Sequence, residues 1–296
     1  MKRVENLLWR GLLLSFFLLL PSLAQAWNAA GHRVIAALAW KEMRPDVRKK
    51  ASELLKRHPD YPRWKKRQRE ADVQYGVFLE AAVWADDIRR DPRFHDANEP
   101  PTPRLPGFPD MLRHSDWHFR NESGAKKRGE IDIRIPQLAR DLGQTRKAVY
   151  ALPWFLHLVG DMHQPLHVGG RGDGGGNGFE VENPTNPKRP FLSLHAYWDG
   201  LPGPSGLRGK ALARELASLG KRPAPVEGNV ALWRAESAAL IDTVVYPAHR
   251  GKPGKSGRPP RVRLTPAFHE RAREVARTRI FEAGIRLGHQ LNRLLR

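Results

Sequence analysis

The chain has 296 residues, 40% of them hydrophobic, and it carries 51 Lys and Arg against 31 Asp and Glu, a formal net charge of +20. Such a chain can bury a sizeable core, and its composition excludes a disordered protein. It contains no cysteine, which excludes disulfides, thiolate zinc sites, iron–sulfur clusters and cysteine nucleophiles. The basic excess predicts a polyanionic partner such as nucleic acid, acidic lipid or polyphosphate. A solvated basic surface is the alternative interpretation.

The first 26 residues differ from the rest of the chain. Basic residues open this segment, an apolar run from Gly11 to Leu23 follows, and Ala24-Gln25-Ala26 forms a small-x-small cleavage site. The run is shorter than the roughly 20 residues that a membrane span needs, so a cleaved secretory signal is predicted rather than an uncleaved anchor. We therefore expect a secreted or periplasmic protein that starts at Trp27 and keeps no stable membrane anchor. The lack of cysteine fits export to a bacterial periplasm or medium.

The mature chain reads mostly as helices, because apolar residues recur at helical spacing in seven stretches. These are Ala29 to Met43, Val73 to Ile88, Ile131 to Leu142, Leu152 to His163, Ala211 to Leu219, Asn229 to Val245 and Pro266 to Leu295. Strand signals are few and short, and Gly178 to Val181 is one candidate. The pattern predicts a mainly α, single-domain fold over residues 27–296.

Three predicted loops stand out by composition. Pro100 to Pro109 is rich in proline, and Gly169 to Gly178 is rich in glycine but lacks the Gly-Lys-Ser/Thr ending of a phosphate-binding P-loop. His249 to Pro266 contains six Lys or Arg residues among glycines and prolines. We expect this last segment to aid binding of a polyanionic polymer.

Histidine and aspartate recur at spacings that suit metal ligation. His157 and Asp161 stand four residues apart, so both project from one helix face. His195 and Asp199 repeat that spacing, and His167 follows the first pair. Further candidates are His32, Asp86 and His118. Imidazole and carboxylate without thiolate suit zinc, with manganese or nickel as alternatives.

Each of these features alone has a structural interpretation. A His/Asp pair four residues apart is often a surface hydrogen bond, His118 is compatible with a core histidine, and Asp86 is spaced to pair with Arg89. The adjacent Asp87 offers a second carboxylate at the same place. The combination of features is therefore what favours a metal centre.

Taken together, the residues resemble the zinc-dependent single-strand-specific nucleases of the S1/P1 type. The stretches that carry the resemblance are Trp27 to His32, Trp84-Ala85-Asp86, Trp117-His118-Phe119, His157 to His167, Gly175-Gly176-Asn177 and His195 to Asp199. They span nearly all of the mature chain, and the pattern His-x3-Asp-x-His-Gln-Pro-Leu-His is highly specific. The resemblance implies a mainly α helical fold of the zinc phospholipase C / P1 nuclease type.

The resemblance also implies three zinc ions per chain. One would be held by Asp86, His118, His157 and Asp161. A second would take His167, His195 and Asp199. A third would take His32, Asp161 and the amino nitrogen and carbonyl oxygen of Trp27. Asp161 would then bridge the first and third ions.

Three further residues match positions of substrate contacts in the family. Asn177 would contact a base through its amide, Phe119 would stack on an unpaired base, and Arg89 would point its guanidinium at the scissile phosphate. The structural alternatives are a turn asparagine, a core phenylalanine and an Asp–Arg surface pair. His163 and Gln164 belong to the motif but are not ligands in the family.

The implied activity is endonucleolytic hydrolysis of single-stranded DNA and RNA to 5′-phosphorylated products, with 3′-nucleotidase activity as a further expectation. Asp86, Asp161 and Arg89 are the expected catalytic residues. Nucleic acid and nucleotides are the expected substrates, and no obligate protein partner is expected. The rival interpretations are a zinc phospholipase C and a non-enzymatic cationic protein that binds nucleic acid or membranes. The segments Pro202 to Pro223 and His249 to Pro266 are not predicted by the resemblance.

Overall fold

A computed structural model describes residues 27–123, 126–183, 186, 188–220, 228–248 and 261–296. The predicted signal segment, residues 1–26, lies outside these ranges, as do residues 221–227 and residues 249–260 of the basic segment. Within the described ranges, no helix combines the length and the apolar character needed to cross a membrane.

Helices dominate the described residues, which confirms the mainly α prediction. The twelve α-helices there are α1 (Ala29–Glu42), α2 (Pro45–Lys56), α3 (Tyr61–Arg67), α4 (Val73–Ala81), α5 (Trp84–Asp87), α6 (Ile131–Leu142), α7 (Ala148–Met162), α8 (Pro165–Val168), α9 (Leu194–Gly200), α10 (Gly209–Leu219), α11 (Val230–Leu240) and α12 (Pro266–Leu294). Short 3-10 turns occur at Ile88–Arg90 and Ser115–His118, and α11 continues into a π-turn at Ile241–Val245.

The strands of the described residues are short. β1 (Asn121–Ser123) pairs antiparallel with β2 (Lys126–Arg128). β3 (Glu180–Glu182) lies between β4 (Phe191–Ser193), antiparallel, and β5 (Arg261–Val262), parallel. The sequence placed a strand at Gly178 to Val181, whereas pairing begins at Glu180, because the Gly178 N–H donates to the Asp173 carbonyl within the preceding turn at 2.9 Å.

Several helix predictions need correction. α2, α3 and the short α8 and α9 were missed, although Pro45 opens α2 and its buried Val47, Ala51 and Leu55 recur every four residues. α7 begins at Ala148 rather than at Leu152, since its first turn is apolar and buried and packing outweighs the cost of Pro153 inside a helix.

The predicted helix Val73 to Ile88 is interrupted after Ala81. The Val83 N–H donates to Glu80 and the Asp86 N–H donates to Val83, so the backbone tightens into three-residue bonds there. The Ala82 carbonyl is thereby left out of the helical ladder. It accepts instead from Nδ1 of His157 at 2.9 Å, so the break serves a residue of the candidate site.

Two buried helices organise the core. Every residue of α7 is buried, and α1 is buried from Ala30 to Trp40. α12 approaches α1 closely through glycine: a Cβ atom at Gly284 would lie 2.4 Å from Cβ of Leu38, and one at Gly288 would lie 2.5 Å from Cβ of Glu42. The candidate ligands on α1 and α7 are therefore buried in the interior of the protein.

The close approach of α1 and α12 gives a stability prediction. Gly284→Ala should destabilise the protein by roughly 1–3 kcal/mol, because the added methyl overpacks the contact with Leu38 despite the better helix propensity of alanine. Denaturant unfolding measures the change. Gly143→Ala is the matched control, since Gly143 has φ −73° and its Cβ would meet an ordinary contact at 3.4 Å. Equal stability of the two variants would contradict the packing argument.

Candidate metal centre

Asp161 of α7 lies at the centre of a fully buried group of histidines. Its Oδ1 is 3.3 Å from Nε2 of His32, and its Oδ2 is 3.0 Å from Nδ1 of His118 and 3.3 Å from Nε2 of His157. His157 Nε2 also lies 3.8 Å from Oδ1 of Asp86. The structure therefore brings together the five side chains that the sequence assigned to the first and third zinc sites.

The close approach of α1 to α7 depends on the absence of a side chain at Gly160. The rings of His32 and His157 stack with centroids 3.8 Å apart. A Cβ atom at Gly160 would lie 2.9 Å from Nδ1 of His32. Glycine at this position therefore lets His32 reach the carboxylate of Asp161 one residue further along α7.

A second buried group contains His167, His195 and Asp199, the side chains assigned to the second zinc. The two Nε2 atoms of His167 and His195 are 3.0 Å apart, and Nε2 of His195 is 3.4 Å from Oδ2 of Asp199. The sequence prediction grouped these three residues, and the structure places their ligand atoms within 4.8 Å of one another.

Backbone carbonyls fix the orientation of three of these rings. Nδ1 of His157 donates to Ala82 at 2.9 Å, Nδ1 of His167 to the His118 carbonyl at 2.6 Å, and Nδ1 of His195 to Gly175 at 2.7 Å. A carbonyl only accepts, so each Nδ1 carries the proton, and in a neutral imidazole Nε2 then presents a lone pair. Such bonds are the usual supports of metal-ligating histidines.

With Nδ1 protonated, the short contacts inside the site bring together pairs of atoms that both accept hydrogen bonds. In neutral rings the lone pairs of His167 and His195 face each other, and the lone pair of His157 faces carboxylate oxygens. Only a proton or a cation between these atoms makes such contacts favourable. Buried atoms without a hydrogen-bond partner among the described residues include Nε2 of His32, His118 and His157 and Oδ1 of Asp86 and Asp161. Leaving such atoms bare is costly, and nitrogen with carboxylate oxygen is a donor set that fits zinc.

Burial and neighbouring charges also shift the pKa values of the candidate ligands. Burial lowers the pKa of His118 to about 4, so this ring is neutral at neutral pH. Burial also opposes charge on His157, but the carboxylates of Asp161 and Asp86 outweigh it and raise its pKa to about 9. Burial raises the pKa of Asp199 well above its usual range, and the Gln164 hydrogen bond offsets part of this effect. A metal ion bound here would replace protons on His157 and Asp199.

Trp27 lies beside the second group. Its side chain is fully buried, and the N–H of the next residue, Asn28, donates to the Asp199 carbonyl at 3.0 Å. The Asn28 side chain caps α1 by accepting from Ala30 and Gly31. The start of the described chain is thus fixed between α1, which carries His32, and α9, which carries His195 and Asp199.

The three predicted substrate contacts have different surroundings. Arg89 Nη1 lies 3.5 Å from Oδ1 of Asp86, so the Asp–Arg pair exists and places the guanidinium next to a candidate ligand. Phe119 is half-buried and directly follows His118. Asn177 is exposed, and its amide donates to the Gly174 carbonyl at 2.9 Å. Asn177 therefore has the turn role that the sequence offered as its structural alternative, and within the part of the chain that the structure describes its side-chain oxygen has no hydrogen-bond donor.

Gln164 is a site residue whose role the sequence reasoning missed. Its Nε2 donates to Oδ1 of Asp199 at 2.8 Å, and its Oε1 accepts from the Leu166 N–H at 2.6 Å. It therefore orients a candidate ligand while it caps α8. The position within the His-Gln-Pro-Leu-His motif was the available signal. His163 is also buried, but it bonds the Val159 carbonyl and Arg286, which agrees with its exclusion as a ligand.

Comparisons with known proteins agree with this site. Residues 27–296 match the sequence model of the S1/P1 Nuclease family. The chain belongs to this family. Endonuclease 2 of Arabidopsis thaliana is 27% identical over 181 residues, 58% of this chain and 54% of that protein. Endonuclease 4 of the same plant is 45% identical over 51 residues, 17% of this chain and 16% of that protein. The matches therefore span about half or less of these relatives.

Membership in the S1/P1 nuclease family confirms the resemblance drawn from the motifs. It also supports nuclease activity, and therefore a hydrolase. It also makes zinc the plausible metal for the His/Asp groups. The number of ions and the role of each ligand stay predictions.

The Gln164 contact gives a testable prediction. Gln164→Leu should weaken zinc binding at the site of Asp199 by roughly 10–100-fold, because the carboxylate loses its orienting donor. Zinc content after dialysis against graded zinc concentrations measures this loss. Gln144→Leu, at an exposed glutamine, is the control for the substitution itself. Identical zinc retention in the two variants would remove the orienting role.

Proposed function

We propose that this S1/P1 nuclease family member is a zinc-dependent endonuclease that hydrolyses phosphodiester bonds of single-stranded DNA and RNA to 5′-phosphorylated products, with 3′-nucleotidase activity in addition. The acceptor-to-acceptor contacts carry the proposal, above all the 3.0 Å approach of the His167 and His195 Nε2 atoms. A bound cation would make these contacts between buried lone pairs and carboxylates favourable, and the family match supports zinc as that cation.

We assign the ligands as the sequence suggests. Asp86, His118, His157 and Asp161 would hold one zinc, and His167, His195 and Asp199 would hold a second. His32, Asp161 and the main-chain atoms of Trp27 would hold a third. The two oxygens of Asp161, which approach different histidines, support its role as a bridge. Bound zinc would lower the pKa of a water nucleophile and offset the negative charge of the phosphodiester.

The chain's own residues then bind and orient the substrate. Arg89, held beside Asp86, directs its guanidinium at the phosphoryl oxygens, a pairing for which the planar fork is suited. Phe119, half-buried beside His118, stacks on a base. Stacking accepts any base but requires it to be unpaired, which gives single-strand preference without base specificity. The free side-chain oxygen of Asn177 contacts a base edge.

We further propose that residues 1–26 are a cleaved export signal and that residues 27–296 form the catalytic domain of a secreted or periplasmic protein. The support is the sequence pattern of the segment together with the start of the family match at residue 27. The basic segment from His249 to Pro266 contributes to binding of long substrates through its six cationic side chains.

The direct test of the activity compares substrates. The mature protein should hydrolyse single-stranded DNA and RNA, leave phosphatidylcholine vesicles intact, and lose activity after prolonged chelation. Chelation should also lower the melting temperature, because zinc at 100 to 1,000 times its Kd stabilises a site by roughly 3–4 kcal/mol. Added zinc should restore both properties. Release of choline phosphate would favour a phospholipase C, and chelator-resistant binding without hydrolysis would favour a non-enzymatic protein.

The amino terminus gives a second test. A free α-amine with a pKa of about 7.7–8.0 gives up its proton to a metal, whereas an amide nitrogen is a poor ligand. A chain that starts at Trp27 should therefore be active. A chain that retains Ala26 should bind about one zinc fewer and be strongly impaired. The same length of tag at the carboxyl terminus is the control. Equal zinc content and activity in the extended protein would refute the role of Trp27.

A further inference from the structure

An arginine-lined pocket lies next to the candidate metal centre. It has a volume of about 620 Å³, and Asp86 forms part of its wall. We call it the arginine pocket, defined by the guanidinium groups of Arg33, Arg63, Arg67, Arg90 and Arg208. These residues come from α1, α3, the turn after α5 and the segment before α10.

The inner end of the arginine pocket has more cations than anions. Beneath it, the buried carboxylate of Glu80 meets Arg33 at 2.8 Å, Arg208 at 2.7 Å and Arg67 at 3.5 Å. Arg67 also pairs with Asp87, and Asp86 in the pocket wall pairs with Arg89. Three carboxylates therefore face four guanidinium groups in a partly buried region, where charge is less screened than at the surface.

The outer rim adds further positive charge. Arg63 pairs with Asp91 at 3.1 Å, but that carboxylate also meets Arg93 at 2.7 Å. Arg90 is exposed, and no residue in the described ranges forms an ion pair with it. The pocket thus has an open, cationic rim above a cationic floor, the arrangement that attracts an anion.

The arginine pocket and the metal centre share walls. Asp86 lines the pocket and lies 3.8 Å from Nε2 of His157. On α1, His32 contacts Asp161 while the next residue, Arg33, lines the pocket. The pocket and the metal centre therefore lie on either side of Asp86, so an extended ligand with a phosphate at the metal centre lies close to the pocket.

Structural ion pairing accounts for only part of this arrangement. Arg33 donates to the carbonyls of Ala29 and Ser205 as well as to Glu80, so it ties the segment before α10 to α1 and α4. Arg63 has only its pair with Asp91, and Arg90 forms no ion pair within the described ranges, so neither ties distant segments together as Arg33 does.

We propose that the arginine pocket binds a backbone phosphate of the single-stranded substrate, next along the strand from the phosphate that is cleaved. This inference rests on the proposed nuclease function. Guanidinium groups bind phosphate oxygens through paired hydrogen bonds. The pocket therefore makes the enzyme favour strands with several phosphates over the smallest substrates, and it adds to the salt dependence of substrate capture.

The test compares a single-stranded hexadeoxynucleotide with a dinucleoside monophosphate, which contains only the phosphate to be cleaved. In the variant Arg63→Gln/Arg90→Gln, kcat/KM for the hexadeoxynucleotide divided by kcat/KM for the dinucleoside monophosphate should fall about tenfold. The slope of log kcat/KM for the hexadeoxynucleotide against log salt should become shallower by about 0.7, because one phosphate contact is lost. Arg63→Lys/Arg90→Lys should keep most of the slope.

The control is Arg140→Gln/Arg271→Gln, which removes the same charge at exposed positions outside the pocket. Melting temperatures verify that each variant is folded. A ratio and slope unchanged in Arg63→Gln/Arg90→Gln, or lowered equally in the control, would overturn the pocket assignment while hydrolysis by the unaltered protein persists. If the unaltered protein cleaves neither substrate, the proposed function itself has failed.

Discussion

The carboxylate of Asp161 is the constraint on which the site depends. It sits on a helix that is buried along its whole length, and it is in contact with three imidazoles. An ionised carboxylate in such a position is unfavourable unless positive charge is placed beside it. The burial that stabilises the helical core is therefore compatible with this residue only if the surrounding group holds protons or cations.

The rest of the site orients its ligand atoms toward this carboxylate and toward Asp199. Three histidines are held by backbone carbonyls in the state that presents Nε2 inward. These carbonyls come from places where the chain departs from regular structure: the break after α4, the 3-10 turn at Ser115–His118 and the glycine-rich loop. Irregular backbone thus supplies acceptors that a continuous helix would use internally.

Much of the site was predictable from sequence because its ligands occur in compact motifs. The pairs His157/Asp161 and His195/Asp199 needed only helical spacing, and both groups of ligand atoms come together as expected. The supporting contacts were not predictable. Gly160 matters because α1 happens to cross α7 there, and Gln164 matters because α9 places Asp199 beside it. Contacts between segments distant in sequence leave no periodic signal.

In the fold, too, features set by neighbouring residues were predictable, whereas features set by contacts between distant segments were not. The long helices α1, α6, α10 and α12 follow their apolar spacing to within a few residues. The break of the stretch from Val73 to Ile88 does not follow from spacing, because it is stabilised by a hydrogen bond to His157 on another helix.

The segment after Pro202, which no motif explained, provides a final example. Its carbonyls accept from Asn28 and Arg33, and its Arg208 meets the buried Glu80. It therefore packs against the start of α1, which follows Trp27 and carries His32, and it closes one side of the arginine pocket. A segment that looks like an insertion in the sequence is, in the folded protein, part of the support for the residues that carry the proposed chemistry.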